Sequence, residues 1–311
     1  MMKTNRCDIV VVGSSNTDMI VKSPRIPKPG ETIVGGKFSV AAGGKGANQA
    51  VAAARAGGSV SFISRVGNDM FGKKAINGFK DDSIDVKYVY KDKTAASGIA
   101  LIMVGENGQN SISVALGANL CLSPADIQKA SRLITSAKIL VLQLEIPLES
   151  VQAAIEIAHK NGVRVILNHA PAQPLDHELL CKVSILTPNE SEAEILTGIA
   201  TNDEPSMNAV ADKLMTFGIE TVLLTLGARG VFCATKTERT LIPAFTVEPV
   251  DTTAAGDVFN GALAVALAKK KSLTESVRFA NAAAAISVTR LGAQPSAPYK
   301  KEIDKFLKER S

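Results

Sequence analysis

The sequence lacks the residues that mark a nucleic-acid-binding protein. Tryptophan is absent, aromatic residues make up 4% of the chain, and no basic run is interleaved with aromatic residues. Nucleic-acid surfaces usually combine basic patches with such residues, so we expect no nucleic-acid partner. The net charge of +5, from 35 basic and 30 acidic residues, collects partly in the C-terminal tail, where it indicates a solvated helix face.

Cysteine is scarce, and long apolar runs are missing. The four cysteines are far apart, with no C-x-x-C pair and no histidine beside them. This spacing argues against a zinc site or a disulfide framework and is typical of proteins in a reducing cytosol. No apolar run approaches the ~18 residues of a membrane-spanning helix. The sequence therefore predicts a cytoplasmic protein with no membrane partner.

The common catalytic signatures are also absent. No G-x-S-x-G or H-E-x-x-H pattern occurs, so hydrolase functions have no residues to support them. The pair Gly44-Lys45 is not part of a Walker loop. Ser39 stands where that loop needs its first glycine, and Gly46 where it needs serine or threonine. The loop that starts at Gly13 is not G-x-G-x-x-G either, which argues against dinucleotide binding.

What the sequence does contain is a run of small residues followed by a carboxylate, Thr253-Ala254-Ala255-Gly256-Asp257, at the start of a predicted helix. Backbone N–H groups at a helix N-terminus lack intrahelical acceptors and, with the helix dipole, form an anion site. A carboxylate there would repel a phosphate unless it accepts the proton of an attacking alcohol. The run therefore predicts a kinase without a Walker loop. Asp257 would be its general base, and the amides of residues 254–256 would hold the phosphoryl group.

The remaining pattern is that of an α/β protein, in which continuous apolar runs alternate with helical stretches. The predicted strands are residues 9–12, 59–63, 139–142, 163–167, 185–187 and 221–225, and the predicted helices are 49–56, 148–161, 206–217 and 258–269. Strands that are apolar throughout are expected where helices cover both faces of a parallel sheet. No linker, charge block or internal repeat divides the chain.

Two segments break this alternation. Residues 17–40 and 97–115 carry short alternating strands and turns, such as those at 27–30 and 105–108, with no crossover helix of their own. Paired into a small separate sheet, they would form a lid over a cleft. A sheet of that kind has one face left to cover, so it also predicts a dimer interface.

Polar loops follow the predicted strands, where open α/β sheets bind ligands. Asn16 and Asp18 offer the donors and acceptors that suit a polyol, although an Asx turn explains them equally well. The glycine-rich loop at 41–49 permits close backbone approach to a ligand, with Asn48 at the start of the next helix. A tight strand–helix turn is the alternative for that loop.

Two later loops have structural explanations that the residues alone favour. Asn189 and Glu192 would share one side of a first helical turn, where they could orient waters around Mg²⁺ or simply cap the helix. The stretch at 225–230 is either a glycine turn or a loop lying against a nucleotide. Capping and a turn are the better interpretations without further context.

Taken in order, these motifs resemble those of the PfkB family of carbohydrate kinases. The resemblance covers nearly the whole chain and rests on residues 16–18, 43–48, 189–192, 225–230 and 251–261, with 279–285 and 292–296. It implies one α/β domain over residues 1–311, with a doubly wound, mostly parallel central sheet flanked by helices and a small β-sheet lid. It also implies a homodimer through the lid and ATP-dependent phosphorylation of a sugar, most closely at the 5-hydroxyl of D-ribose.

The resemblance also implies roles for individual residues. Asp257 would be the base, with the anion hole formed by Ala254, Ala255 and Gly256. The sugar would be held by Asn16, Asp18, Gly44, Lys45, Asn48, Glu145 and Asp257. ATP would contact Asn189, Thr225, Leu226, Gly227, Ala228, Arg229, Gly230, Gly256 and Asn281.

Two metal ions are implied in the same way. Glu192 would help to hold Mg²⁺ through water. A monovalent cation, typically K⁺, would be bound by oxygens of Asp251, Thr253, Ser287, Arg290, Gly292 and Ser296. Oxygens fixed around K⁺ would hold the neighbouring anion-hole turn in shape.

Two residues depart from the family's pattern, and two alternative functions stay open. Asn281 replaces a histidine that is often found there, and His169, expected to border the cleft, replaces a common proline. Kinases for deoxyribose, fructose or adenosine differ at few sugar contacts, so the sequence separates them weakly. A sugar- or nucleotide-binding sensor without catalysis is the other alternative, and the intact Asp257 and anion-hole residues argue against it.

Overall fold

The structure is a computed structural model that describes residues 7–107 and 109–310. The predicted turn at 105–108 thus includes one residue, Gly108, that lies outside the described residues. The described chain forms thirteen strands: β1 (Ile9–Val12), β2 (Asn16–Ser23), β3 (Lys37–Gly43), β4 (Val60–Gly67), β5 (Asp85–Asp92), β6 (Gly98–Gly105), β7 (Asn110–Ala115), β8 (Ile139–Leu142), β9 (Arg164–Leu167), β10 (Ile185–Leu186), β11 (Thr221–Thr225), β12 (Val231–Thr235) and β13 (Arg239–Ile242).

Helices connect most of these strands. They are α1 (Lys45–Arg55), α2 (Met70–Asp81), α3 (Pro124–Lys129), α4 (Ser131–Ser136), α5 (Leu148–Lys160), α6 (His177–Leu180), α7 (Glu190–Thr197), α8 (Glu204–Thr216), α9 (Ala255–Ala268), α10 (Leu273–Ser287) and α11 (Lys300–Lys308). Short 3₁₀ turns lie at Gly117–Cys121, Gly227–Arg229 and Gln294–Ser296. Across the described ranges, no helix is both long and apolar enough to cross a membrane.

Nine strands form the central sheet, in the order β13-β12-β11-β10-β9-β8-β1-β4-β5. The strands from β11 to β5 pair in parallel, and β12 and β13 complete one edge in antiparallel orientation. The strand order reverses beside β1, because β4 pairs with one side of it and β8 with the other. The predicted doubly wound, mostly parallel sheet is confirmed.

Helices cover both faces of this sheet and create two apolar clusters. Val11 of β1 packs into one cluster with Leu263 of α9, whereas Val10 points to the opposite face and packs with Ile155 of α5. Successive strand residues point to opposite faces, so both faces of β1 are buried. That double burial is the reason why the strands appear in the sequence as continuous apolar runs.

Three helices begin earlier than the apolar pattern predicts: α8 starts at Glu204 rather than residue 206, and the differences are larger for α1 and α9. α1 starts at Lys45 rather than residue 49, and α9 starts at Ala255 rather than 258. Each follows a residue with left-handed backbone, Gly44 (φ 88°) and Ala254 (φ 59°), and neither start has a side-chain cap. A Cβ at Gly44 would lie 2.6 Å from the backbone nitrogen of Asn16, so only glycine fits this turn.

The second sheet has four strands in the order β3-β2-β6-β7. β2 begins at Asn16, only four residues after β1 ends, so the chain passes directly from the large sheet into the small one. Its apolar residues are unusually exposed, for example Phe38 at 64% and Leu101 at 51%. This small sheet, which the sequence predicted as a separate element, has an apolar face that the rest of the described chain does not cover.

Candidate active site

The candidate site lies at the carboxyl edge of the central sheet, where the strand order reverses. Gly13 follows β1, Gln143 follows β8, Asn168 follows β9 and Thr187 follows β10. Because these strands are parallel, the residues that follow them meet at one edge of the sheet. That edge, at a topological switch point, is where open α/β sheets bind their ligands.

Asp257 lies in the first turn of α9, and its side chain is buried at this edge. Asn48 Nδ2 donates to its Oδ2 at 2.9 Å, and Gln49 Nε2 donates to its Oδ1 at 2.9 Å. Burial raises the pKa of the Asp257 carboxyl, while the Lys45 ammonium and the two amide donors oppose that rise. A buried carboxylate held in this way is suited to accept a proton.

The turn before Asp257 presents backbone N–H groups. Ala254 has left-handed backbone, and the Ala255 N–H donates to Thr252 O at 3.3 Å. In the part of the chain that the structure describes, the N–H groups of Gly256 and Asp257 find no acceptor. A Cβ at Gly256 would meet nothing within 4 Å, so the space beside the Cα of this glycine is open. The turn therefore has the form of an anion site at a helix N-terminus, where Ala255 is the one predicted amide already partly engaged.

Three charged side chains surround the space next to Asp257. Glu145 Oε2 accepts from Ser14 Oγ at 2.5 Å and from the Lys45 amide at 3.1 Å. Burial alone would lower the pKa of the Lys45 ammonium, but the carboxylates of Asp257, Glu145 and Glu192 outweigh it and raise that pKa. Burial raises the pKa of Asp18 to about 6, and the charges of Glu145 and Asp257 add to the rise.

The amide of Asn16 is oriented by a residue that the sequence did not single out. Asn119 is fully buried, and its Nδ2 donates to Asn16 Oδ1 at 2.8 Å and to Leu116 O at 2.9 Å. Its Oδ1 accepts from the Ser15 N–H at 2.8 Å. Because Asn16 Oδ1 is engaged, its Nδ2 is left to donate to a ligand.

Asn189 and Glu192 form a capping box at the start of α7. The Glu192 N–H donates to Asn189 Oδ1 at 2.8 Å, and Glu192 Oε2 accepts from the Asn189 N–H at 2.9 Å. Asn189 and Glu192 therefore cap the helix, as the capping interpretation predicts. This cap engages only one of the two oxygens of the Glu192 carboxylate. Burial raises the pKa of Glu192, with Lys45 and Asp257 among the charges that act on it.

The predicted nucleotide loop is a 3₁₀ turn that packs on this capping box. Thr225 N donates to Pro188 O at 2.9 Å, and Leu226 N donates to Gly230 O at 2.8 Å. The Arg229 side chain forms an ion pair with Glu190 in α7. Gly227 and Ala228 complete the turn.

Asn281 is buried in α10, on the side of β13. Its Nδ2 donates to Pro243 O at 3.2 Å and lies 3.5 Å from Ile242 O. The amide thus ties α10 to the end of β13, and the departure from histidine has a structural consequence. A ligand ring that stacked at position 281 would contact an amide that is already anchored to the backbone.

The predicted monovalent-cation residues come from two loops that contact each other. Asp251 Oδ1 accepts from the Thr253 N–H at 2.9 Å, and Oδ2 accepts from the Gly292 N–H at 2.8 Å. Burial alone would raise the pKa of Asp251, but these hydrogen bonds outweigh it and lower that pKa. The Asp251 N–H also donates to Val288 O at 3.1 Å. The remaining predicted residues lie in the second loop region or at its borders: Ser287, Arg290 and Ser296.

Side chains of that second loop have partners of their own. Ser287 Oγ donates to Ala284 O at 2.8 Å and Ser296 Oγ donates to Ala293 O at 2.7 Å, which leaves each hydroxyl oxygen able to accept or to bind a cation. The Arg290 guanidinium pairs with Glu302. No group of three or more His, Cys, Asp or Glu residues within 7–107 and 109–310 is arranged to hold a metal ion.

His169 differs from its prediction. It is fully buried rather than bordering the cleft, and its Nε2 lies 2.6 Å from Gln173 O. Gln173 in turn lies 3.4 Å from Leu144 O, so the histidine supports the loop that carries Glu145. The sequence signal for such a role is weak, because Gln173 follows His169 by four residues but lies 29 residues from Leu144.

Known proteins resemble this chain over almost its whole length. The sequence pattern described as pfkB family carbohydrate kinase matches residues 7–300. The chain is 48% identical over 302 residues to a ribokinase of Haemophilus influenzae, covering 97% of this chain and 99% of that protein. It is 39% identical over 301 residues to a deoxyribokinase of Salmonella typhi, covering 96% and 98%. The solved structure of Arabidopsis thaliana ribokinase complexed with ribose and ATP matches with a TM-score of 0.90 at 36% identity, covering 97% of this chain and 99% of that one.

Proposed function

The chain belongs to the pfkB family of carbohydrate kinases, and we propose that it transfers the γ-phosphate of ATP to the 5-hydroxyl of D-ribose. It is a sugar kinase, and ATP-dependent ribokinase activity is the function that its similarity to the Haemophilus influenzae enzyme supports. The observation that carries the mechanism is the position of Asp257. Its buried carboxylate directly follows the Gly256 N–H at a helix N-terminus, and that N–H has no acceptor among the described residues.

The residues at this edge perform an in-line displacement. Asp257 accepts the proton of the 5-hydroxyl as that oxygen forms its bond to the γ-phosphorus. The bond between the γ-phosphorus and the bridging oxygen of ADP breaks, and ADP leaves. The N–H groups of Ala254, Ala255 and Gly256 stabilise the charge on the transferred group. These steps account for a carboxylate and an anion site in the same turn.

Sugar hydroxyls are held by polar groups that converge on this space. Asn48 donates one N–H to Asp257, and its Oδ1 has no hydrogen-bond partner among the described residues although it is buried. A buried acceptor of that kind is suited to a ligand hydroxyl, because leaving it unpaired is unfavourable. Asn16 Nδ2 and the Asp18 carboxylate supply further contacts, with Lys45, Glu145 and Gly44 around them.

ATP and Mg²⁺ occupy the neighbouring side of the cleft in this proposal. Asn189, the turn from Thr225 to Gly230 and Asn281 form the nucleotide side. Glu192 has one carboxylate oxygen free beside its capping bond, which fits a water-mediated contact to Mg²⁺. Bound Mg²⁺ supplies neutralisation of the phosphate charge.

The loops that contain Asp251 and Gly292 fit a monovalent cation. The Asp251 carboxylate is fixed by two backbone donors and kept ionised, and the hydroxyls of Ser287 and Ser296 point their donors elsewhere. The Asp251 carboxylate and the two serine hydroxyls, with oxygens of Thr253, Arg290 and Gly292, form the proposed K⁺ ligand set. Bound K⁺ supplies positive charge that holds this turn, only three residues before the anion hole begins at Ala254.

We place the whole chain, residues 1–311, in a single domain whose small sheet acts as a lid and as the interface of a homodimer in the cytoplasm. Support for the lid comes from Asp18, which lies in β2 of the small sheet and is close enough to Asp257 for their charges to interact. Asn16 lies in the same strand. Support for the dimer comes from the exposed apolar residues of the same sheet.

The test is a coupled assay of ADP release with ATP and D-ribose, 2-deoxyribose, fructose or adenosine, each with and without K⁺. We expect kcat/KM to be highest for D-ribose and K⁺ to raise the rate. A clear preference for 2-deoxyribose would replace ribose by the substrate of the Salmonella typhi relative. ATP and ribose binding without turnover would favour a non-catalytic sensor.

A further inference from the structure

Gln49 contacts the catalytic carboxylate but has no place in the substrate contacts assigned above. It is the residue after Asn48 in α1, is fully buried, and donates Nε2–H to Asp257 Oδ1 at 2.9 Å. The same Nε2 donates its second hydrogen to Asn168 Oδ1, and the nitrogen–oxygen distance is 3.1 Å. Both hydrogens of the amide are therefore engaged inside the protein, and none is left for a ligand.

The orientation of this amide is set by Gln143. Gln143 is also fully buried, and its Nε2 donates to Gln49 Oε1 at 2.6 Å. A flipped Gln49 would place its oxygen against the Asp257 carboxylate and its NH₂ against that of Gln143. Both contacts would be repulsive, so the Gln143 donor fixes which end of Gln49 faces Asp257.

Gly13 makes room for Gln143 at the end of β1. A Cβ at position 13 would overlap Gln143 Oε1 and would lie 2.8 Å from Gly46 Cα. The contacts therefore run from β1 through β8 and α1 to α9, across the switch point of the sheet. Each member comes from a rigid element or directly follows one.

We propose that Gln49 is a positioning residue for Asp257, and that Gln143 holds Gln49 in its donating orientation. A neutral donor on one oxygen fixes the rotamer of the carboxylate and favours its ionised form without an ion pair. Together with Asn48 on the other oxygen, it opposes the rise in the pKa of Asp257 that burial causes. The proposal rests on Asp257 being the base of the proposed kinase reaction.

The first test is the pH profile of kcat at saturating ribose and ATP for Gln49→Leu. Removal of the donor disfavours the carboxylate, so the pKa of Asp257 rises. A hydrogen bond to a charged group is comparable to about one pKa unit. We expect the acid limb of kcat to move up by about one pH unit, so that kcat at pH values on that limb falls about tenfold, with both KM values within about twofold.

Gln49→Glu and Gln143→Met separate positioning from folding. Gln49→Glu keeps the shape but adds a second carboxyl beside Asp257, so the acid limb moves further up. Gln143→Met keeps Gln49 but removes the donor that fixes the orientation of its amide. We expect the acid limb of kcat to move up by less than it does in Gln49→Leu. The other charged groups that act on Asp257, namely Lys45 in α1, Asp18 in β2, Glu145 after β8 and Glu192 in α7, are unchanged in all three variants.

The matched control is Gln152→Leu, because exposed Gln152 also donates to a carboxylate, that of Glu156 at 3.2 Å. We expect Gln152→Leu to leave the pH profile of kcat unchanged. If Gln49→Leu does not fold, Gln49→Glu and Gln143→Met decide. An acid limb that does not move in Gln49→Leu, whether kcat is lowered or not, overturns the proposal. Asp257→Asn, measured alongside, tests the base itself. Its turnover falls at least ~10²-fold with ribose and ATP binding retained, and near-normal turnover would overturn the base assignment instead.

Discussion

At the scale of single residues, Asp18 is a carboxylate whose charge is unfavourable in the free protein. Its side chain is part of β2, borders Asp257 and Glu145, and has no hydrogen-bond donor within the described residues. Burial, followed by the two neighbouring carboxylates, raises its pKa to about 6. Sugar hydroxyls would supply the missing donors, so the cost of this charge in the free protein is offset when substrate binds.

The sign of the pH effect follows from the raised pKa. The folded-state pKa of about 6 exceeds the ordinary value for an aspartate, so the folded state holds this proton more tightly than the unfolded chain. The stability contributed by Asp18 is fully present below about pH 4 and is lost as the pH rises through about 6.

Asp18→Asn separates this stability effect from binding. Without ribose, we expect the variant to melt at a higher temperature than the parent at pH 7.5 and at the same temperature near pH 3.5. Ribose affinity of the parent, measured by calorimetry, falls as the pH drops below about 6, because the protonated carboxyl accepts less well. In Asp18→Asn the affinity is low and independent of pH. The exposed Asp176→Asn serves as the control, and a flat affinity profile in the parent would refute the role given to Asp18.

At the scale of elements, the small sheet and the large one are joined through Asn119. This residue lies in the 3₁₀ turn Gly117–Cys121, just after the chain leaves β7. Its amide bonds to Ser15 and Asn16, where the chain enters the small sheet, and to Leu116, where the chain leaves it. One buried side chain therefore fixes both crossings and the orientation of Asn16, a proposed sugar contact.

Asn119→Ala should show both consequences. The buried N–H of Ser15 loses its acceptor, so we expect the free energy of unfolding in urea to fall by about 1–3 kcal/mol. The KM for ribose rises because Asn16 is no longer oriented, whereas the KM for ATP stays within about twofold. The comparison is Asn161→Ala, an exposed asparagine that bonds Ile157 O at the end of α5. An equal rise in both KM values would show that Asn119 is only structural.

Elements and site residues differ in how far local sequence encodes them. β1, β8 and β11 were predicted to the residue because burial on both faces gives apolar runs. The starts of α1 and α9, which have no capping side chain to mark them, were placed four and three residues too late. The start of α8, which has a capping box, was placed two residues too late. By contrast, α7 carries a capping box that was visible in the sequence.

Residues that act through distant partners gave no local signal at all. Gln49 and Asp257 are 208 positions apart, and Asn119 and Ser15 are 104 apart. Their amides are important only because the sheet brings these positions together. Asp257 itself was recognisable, because the residues that give it an anion site precede it directly in the chain.

At the scale of the whole molecule, the small sheet has an apolar face that the rest of the described chain does not cover. The strand register places Val21 opposite Phe38 and Met103, and Leu101 opposite Met19. Neighbouring paired residues point to the same side of a sheet, so these side chains form one surface. Four of them are exposed, at 39% for Val21, 64% for Phe38, 38% for Met103 and 51% for Leu101.

A contiguous apolar face on a small sheet usually marks an interface, and two copies of this chain would bury it on each other. We expect the protein to sediment as a dimer and the double variant Phe38→Asp/Leu101→Asp to sediment as a monomer, because carboxylates without a partner of opposite charge would be buried in the interface. Ribose KM should rise in that variant, since Asp18 belongs to the same sheet. Met70→Asp, at a site that is 75% exposed on α2, is the control and stays dimeric. A parent protein that sediments as a monomer at all concentrations would show that the apolar face serves the lid alone.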